Sequence, residues 1–288
     1  MKVAIIGGTG RMGRWFARYS ISNDYDVGIF ARHRKKAEQF ADSIGAKAHG
    51  SVDECCRGSK VVFVCVPISE TSKVIEKIEP SLADDTVLIE IASIKGGIID
   101  RLREVRRAII TLCVHPLFGP GANIRAANRY ALIPVRDKTR EKRAFEQFFP
   151  KSGSIIISAE EHDAAMAKVL SLTHFMNALF LRTLSNGVSD LSKLSGTTFR
   201  IQLALAMGIM HDESSQLASL QVQNSHFKVV LEELLRNAKE WHGLIMEGKQ
   251  EELSSKYDGI KRAIEKESAY RSSYEKMYAM FRSLQRDE

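Results

Sequence analysis

The chain is short of cysteine and proline, and has no long apolar run. Its four cysteines, Cys55, Cys56, Cys65 and Cys113, show no CxxC spacing. Cys65 and Cys113 sit in apolar runs, and a bridge between the neighbours Cys55 and Cys56 would be strained, so all four read as reduced thiols. Nowhere do about 18 apolar residues run together, and the apolar start MKVAIIGG is too short for a signal sequence and breaks at glycines. A soluble, cytoplasmic protein without membrane contact is therefore expected. One-sided charge is also missing. The formal net charge is +7, but Lys and Arg are interspersed with Glu and Asp except at Arg32, Arg34, Lys35 and Lys36. A nucleic-acid-binding face is not expected from that pattern. Internal repeats and low-complexity tracts are absent.

With 288 residues and 44% hydrophobic content, the chain is long enough for two domains with separate cores. Up to about Ser158, short apolar runs alternate with amphipathic stretches: Lys2 to Ile6, Val27 to Phe30, Val61 to Pro67, Thr86 to Ile91 and Ile109 to Val114. This is the pattern of βαβ units and a parallel sheet. Two more strand-like runs, Tyr130 to Val135 and Ser154 to Ile157, flank a charged helical segment from Thr139 to Phe149. At Ser158-Ala159-Glu160-Glu161 the spacing is that of a capping box opening a new helix. From Glu161 onward there is no proline, little strand pattern, and apolar residues recur at helical spacing, as in Leu231, Leu234, Leu235 and Ala238. The expectation is an α/β domain over 1–158 and an all-helical domain over 159–288. The tail from Lys256 to Glu288 carries Tyr257, Ile260, Ile264, Tyr270, Tyr274, Met277 and Phe281 at roughly helical intervals and is expected to pack as a helix.

Gly8-Thr9-Gly10-Arg11-Met12-Gly13 follows the first strand directly and opens a helix-like stretch ending near Ser22. In that context the glycines form a dinucleotide fingerprint: a tight turn, a close backbone approach to pyrophosphate and close helix packing, with helix amides facing the phosphates. This makes the α/β half a Rossmann-type, doubly wound domain. An NAD-specific site usually places a carboxylate at the end of the second strand. Here Phe30-Ala31 runs into Arg32, His33 and Arg34, so NADP is the expected cofactor, with NAD as the alternative. Val66 and Pro67, beyond the fourth strand, are expected to line the crevice. The rival reading of Arg32 to Arg34 is the solvated start of a helix.

The next two strands end in Glu90-Ile91-Ala92-Ser93-Ile94-Lys95 and in His115-Pro116-Leu117-Phe118-Gly119-Pro120. A histidine at such a tip can take a proton from an alcohol while hydride leaves the same carbon. With ASIKGG before it, EEHDAAMAKVLSLTHF after it, and Thr198-Phe199-Arg200 followed by IQLALAMG, HPLFGP gives the chain its resemblance to the prephenate and arogenate dehydrogenases of tyrosine biosynthesis. That resemblance implies oxidative decarboxylation of prephenate to 4-hydroxyphenylpyruvate. It also implies that His115 accepts the proton of the C4 hydroxyl and that Ser93 hydrogen-bonds within the same group. His174 and Arg200 would receive the carboxylates, and Lys95 would be a further substrate ligand. Arogenate is the alternative substrate.

Blander readings stay open: a strand-end role for His115, a core role for His174, a structural role for Arg200. His162 and Asp163 are as apt to fix a helix start or a domain junction as to touch ligand. Lys168 keeps open a 6-phosphogluconate-type or imine reductase, and a non-catalytic NADP-sensing module is the reading from another class. The apolar stripes of the helical half exceed what one Rossmann domain can cover, so a homodimer joined through that half is expected.

Overall fold

The structure, a computed structural model, describes residues 1–184 and 187–285 and divides into two compact units, Met1–Met166 and Ala167–Glu288. In the first unit, runs such as Val3-Ala4-Ile5-Ile6 and Val61-Val62-Phe63-Val64 are buried on both faces. That is what strands covered by helices on both sides require. The strands are β1 (Lys2–Ile6), β2 (Asp26–Phe30), β3 (Lys47–Ala48), β4 (Val61–Val64), β5 (Val87–Glu90), β6 (Ile110–Pro116), β7 (Arg129–Ile133) and β8 (Gly153–Ile156). They form one eight-stranded sheet in the order β3-β2-β1-β4-β5-β6-β7-β8. All neighbours are parallel except β6 and β7, whose antiparallel register sets His115 opposite Ala131. The strand order reverses between β1 and β4, the place where sheets of this type open a ligand crevice at their carboxyl edge.

Seven helices accompany the sheet: α1 (Arg11–Ile21), α2 (Arg34–Ile44), α3 (Val52–Cys56), α4 (Ile68–Ile78), α5 (Ile98–Glu104), α6 (Lys138–Phe148) and α7 (Ala159–Met166). Alternation along β4 sends Val61 and Phe63 into one core and Val62 and Val64 into the other. The first core is aromatic, with Trp15, Phe16, Tyr130, Phe148 and Phe149; the second is aliphatic, with Ile75, Ile78, Leu88 and Leu102. Asp137 caps α6 by accepting from the amides of Thr139 and Arg140, both at 3.0 Å. The capping box at Ser158 forms in both directions: Ser158 Oγ accepts from Glu161 N at 3.2 Å, and the Glu161 carboxylate accepts from Ser158 N at 3.1 Å. Two features differ from the sequence expectation. The two-residue β3 is too short to leave a periodic signal, and β7 runs antiparallel because residues 117–128 return the chain without a crossover helix.

The second unit is helical. The chain from 159 to 184 is helix throughout, passing from α7 through a π-helical stretch, Ala167–Leu172, into α8 (Thr173–Leu184). By length and composition this stretch is long and apolar enough to cross a membrane. Two of its buried polar side chains bond within the protein: Ser171 Oγ donates to Leu220 O at 2.6 Å and Asn177 Nδ2 to Thr173 O at 2.8 Å. The remaining helices are α9 (Val188–Lys193), α10 (Thr197–Ile209), α11 (Ser214–Val222), α12 (Ser225–Met246), α13 (Gln250–Ile264) and α14 (Ser273–Gln285). α10 packs on α8 and α14, and α12 on the π-helical stretch and α13. The tail is therefore two helices broken by a 3-10 turn at Tyr270–Ser272, where the sequence pattern suggested one. Its last three residues lie outside those described.

Candidate active site

The glycine loop joins β1 to α1. The backbone reverses at Gly7, which has φ +86° and lies so close to β4 that a Cβ would sit 2.2 Å from Cys65 O. The tight turn thus falls one residue before the motif's first glycine. At Gly13 a Cβ would sit 2.4 Å from Gly7 O, so this glycine is what lets α1 start against the loop. Gly8 N donates to Phe30 O at 3.2 Å, and Gly10 N to Gly7 O at 3.0 Å. α1 begins with no side-chain cap and no acidic residue in its first turn. An open cradle and an uncapped helix N-terminus suit a pyrophosphate, so the residues present fit a dinucleotide. Thr9 and Met12 are half-buried and Arg11 is exposed. Beyond the end of β4, Val66 is half-buried and Pro67 immediately precedes α4.

Arg32, His33 and Arg34 are exposed beyond β2 at the start of α2, another helix with neither a side-chain cap nor an acidic residue in its first turn. Arg34 Nε donates to Glu38 at 2.8 Å in a pair whose side chains are 75% and 44% exposed. So exposed a pair contributes little to stability and is easily exchanged for an anion.

A buried polar cluster is built around His115, near the carboxyl end of β6 and 7% exposed. His115 Nδ1 lies 2.9 Å from His162 Nε2, and His162 Nδ1 lies 2.8 Å from Asp163 Oδ1. Asp163 also accepts from the amides of Lys95, at 2.9 and 3.0 Å, and of Gly96, at 2.7 Å. Burial alone would raise the Asp163 carboxyl, but these hydrogen bonds outweigh it and hold it below its ordinary value. With Asp163 ionised and the two rings taken as neutral, the hydrogen-bond roles follow along the chain. His162 donates from Nδ1 and accepts at Nε2, His115 donates from Nδ1, and His115 Nε2 keeps its lone pair. Burial, then the Lys95 ammonium, then His162, hold His115 well below its ordinary value, so the ring is neutral near pH 7.

This arrangement supplies a pre-set proton acceptor. It also recruits three residues to which the sequence reading gave no site role: His162, Asp163 and Glu90. Asp163 contacts the Lys95 region across 68 residues of chain and His162 reaches His115 across 47, separations that no local pattern reports. The adjacent His-Asp pair just inside a capping box was the available signal.

Lys95, expected to meet substrate, is fully buried: its Nζ donates to Glu90 Oε2 at 2.7 Å and to Val114 O at 2.8 Å. Ser93 is half-buried in the same loop. Phe118 of the HPLFGP segment packs on Trp15 at 4.7 Å and Tyr130 at 5.3 Å, and Trp15 Nε1 donates to Ala122 O at 2.8 Å. These contacts pin the segment after His115 to α1 and β7.

His174 and Arg200 belong to the second unit, on α8 and α10. Gln202 Nε2 donates to Asn177 Oδ1 at 2.7 Å and fixes these two helices to each other. His174 is half-buried, and its Nδ1 is buried with no hydrogen-bond partner among the described residues. Burial holds its pKa below the ordinary value, against the pull of Asp212. The Arg200 guanidinium lies 5.7 Å from the ring centroid of Phe281.

Two family descriptions match. "NADP oxidoreductase coenzyme F420-dependent" covers residues 2–93, and "Prephenate dehydrogenase, dimerization domain" covers residues 158–257. A probable arogenate/prephenate dehydrogenase of Methanocaldococcus jannaschii is 26% identical over 249 residues, 83% of this chain and 56% of that protein. The T-protein of Haemophilus influenzae is 28% identical over 237 residues, 81% of this chain and 59% of that protein. The chain thus spans less than two thirds of the length of these relatives. Among solved structures, the prephenate dehydrogenase of A. aeolicus, in complex with hydroxyphenyl propionate and NAD+, superposes with a TM-score of 0.73. It is 19% identical, covering 91% of this chain and 96% of that one, and shares the fold.

Proposed function

The chain belongs to the prephenate/arogenate dehydrogenase family, and from that premise we propose that it oxidises prephenate to 4-hydroxyphenylpyruvate and CO₂. The observation that carries the reading is the His115–His162–Asp163 chain, which leaves His115 Nε2 free to accept a proton at the carboxyl edge of the sheet. A bound nicotinamide would supply the hydride acceptor for the hydrogen on C4. As that hydride leaves, His115 takes the proton of the C4 hydroxyl. The ring carboxylate then departs as CO₂, its bonding pair completes the aromatic ring, and His115 returns the proton to the phenolic oxygen. Atoms and charge balance, and aromatisation drives the step. Ser93, in the loop after β5, is assigned a hydrogen bond within the same group.

Arg200 and His174 are assigned to the substrate carboxylates. The unpartnered Nδ1 of His174 supports this, because a buried polar atom without a partner costs about 1–3 kcal/mol that a ligand can recover. For the cofactor, we favour NADP over NAD. No carboxylate stands at residues 31–37, directly after β2, to repel a 2′-phosphate, and Arg32 and Arg34 flank an uncapped helix start. Arogenate is the second substrate to consider, since the M. jannaschii relative is named for both.

Crossing prephenate and arogenate against NADP and NAD, and following reduced cofactor, tests all of this. Highest kcat/KM with prephenate and NADP is expected. Preference for NAD would overturn the Arg32 and Arg34 assignment, and turnover of arogenate alone would overturn the substrate.

A further inference from the structure

The buried charges beneath the site are not used by the reaction just described. Lys95 and Glu90 form an ion pair with both side chains at 0% exposure. Such a pair is costly to bury and is weak evidence for stability alone. Two donors of Lys95, moreover, reach groups that hold His115. Its ammonium donates to Val114 O at 2.8 Å, the carbonyl of the peptide that leads into His115. Its backbone amide donates to Asp163, at the far end of the hydrogen-bond chain that orients the His115 ring. Glu90 anchors the ammonium at 2.7 Å, accepts from Ala92 N in the same loop, and accepts from Cys113 Sγ at 3.4 Å on the neighbouring strand.

We infer that Lys95, seated on Glu90, is a positioning residue that sets the backbone and the tautomer of His115, and that it does not bind substrate. The inference rests on the reading of His115 as the proton acceptor. One residue grips the histidine from two directions: through the peptide on its N-terminal side, and through Asp163 and His162 to its Nδ1. An ammonium with 0% exposure presents no surface to a carboxylate arriving from outside. Its charge also lies close enough to disfavour protonation of the ring. The titratable groups that act on His115 are Lys95, from the loop after β5, and His162 from α7; behind them stand Glu90 and Cys113 on the Lys95 side and Asp163 on the His162 side.

Replacing Lys95 alone would leave Glu90 buried and unpaired, so the test uses the volume-conserving pair Glu90→Gln with Lys95→Met in the full chain. Cofactor binding, measured by fluorescence, reports that the first unit is folded. Kinetically, kcat is expected to fall roughly tenfold or more, a part of the roughly 10²–10⁴-fold that a general base supplies. KM for prephenate should stay within about twofold, and the acidic limb of kcat/KM should move to higher pH. A rise in KM with kcat unchanged would overturn the inference, because that is the signature of a lost substrate contact. A separate readout needs no turnover. Imidazole ¹⁵N NMR of the wild type should show His115 as the neutral Nδ1–H tautomer, and the paired variant, which keeps the residue-95 amide and its bonds to Asp163, should show shifted His115 resonances and a higher titration midpoint. An unchanged His115 spectrum would overturn the inference even if the substrate proposed above proved wrong. If the wild type turned over neither substrate, only the functional reading would fail.

Discussion

In the proposed reaction His115 combines two properties that pull in opposite directions in most proteins, since it is 7% exposed and accepts a proton. Burial and the Lys95 charge keep it neutral, while Asp163 and His162 aim its free nitrogen. The acidic limb of kcat/KM is therefore expected below the ordinary histidine value of 6.5. A limb above that value would contradict the assignment. The same depression links to stability. Below pH 6.5 the unfolded chain binds a proton at this residue that the folded chain refuses. Its contribution is thus intact above that pH and is lost as pH falls, at no more than about 1.4 kcal/mol per pH unit for one proton. Denaturant midpoints at about pH 7.5 and about pH 5.5 read the effect, with the lower pH the less stable. Replacing Asp163 with Ala removes the acceptor that fixes the His162 tautomer, and kcat should drop by about tenfold or more with cofactor affinity unchanged. His115 was legible because a histidine-proline tip after a β-rich run is a local signal. Its partners were not, because their positions depend on how α7 folds against the loop after β5.

The glycine loop is the element whose sequence reading transfers most directly to three dimensions. Each backbone demand there lies within a few residues of the glycine that meets it. Even so, the positive φ falls on Gly7, which the motif pattern skips. Gly13→Ala would press a Cβ to 2.4 Å from Gly7 O. This should cost about 1–3 kcal/mol and weaken dinucleotide binding, read by denaturant melts and fluorescence titration. Wild-type affinity in that variant would show that the loop yields where the geometry says it cannot. Strand direction was less legible than strand existence. Tyr130 to Val135 advertises an apolar strand, but nothing in its residues distinguishes parallel from antiparallel pairing with β6. The tail shows the same limit, since apolar spacing continues past the turn at Tyr270–Ser272 that separates α13 from α14.

For the molecule as a whole, the two units differ in how well they enclose themselves. The sheet of the first is covered by two continuous cores. In the second, Leu194 is 89%, Val222 74%, Met246 72% and Val229 71% exposed, while few large apolar side chains there are buried. Apolar surface on this scale calls for a partner, and the family match over residues 158–257 bears the description of a dimerization domain. A homodimer by light scattering at micromolar concentration is the expected result; a monomer would contradict the reading of those faces. Composition and periodicity made the division into an α/β half and a helical half visible. Which apolar stripes face inward and which face a second chain depends on tertiary packing that periodicity does not encode.

The proposed reaction requires His115 to take the substrate proton while hydride leaves. The most direct measurement compares His115→Asn with the wild type in prephenate turnover and in dinucleotide affinity on the same preparations. The predicted result is a loss of kcat by about 10²–10⁴-fold with the dissociation constant for NADP unchanged. Turnover near the wild-type rate would contradict it.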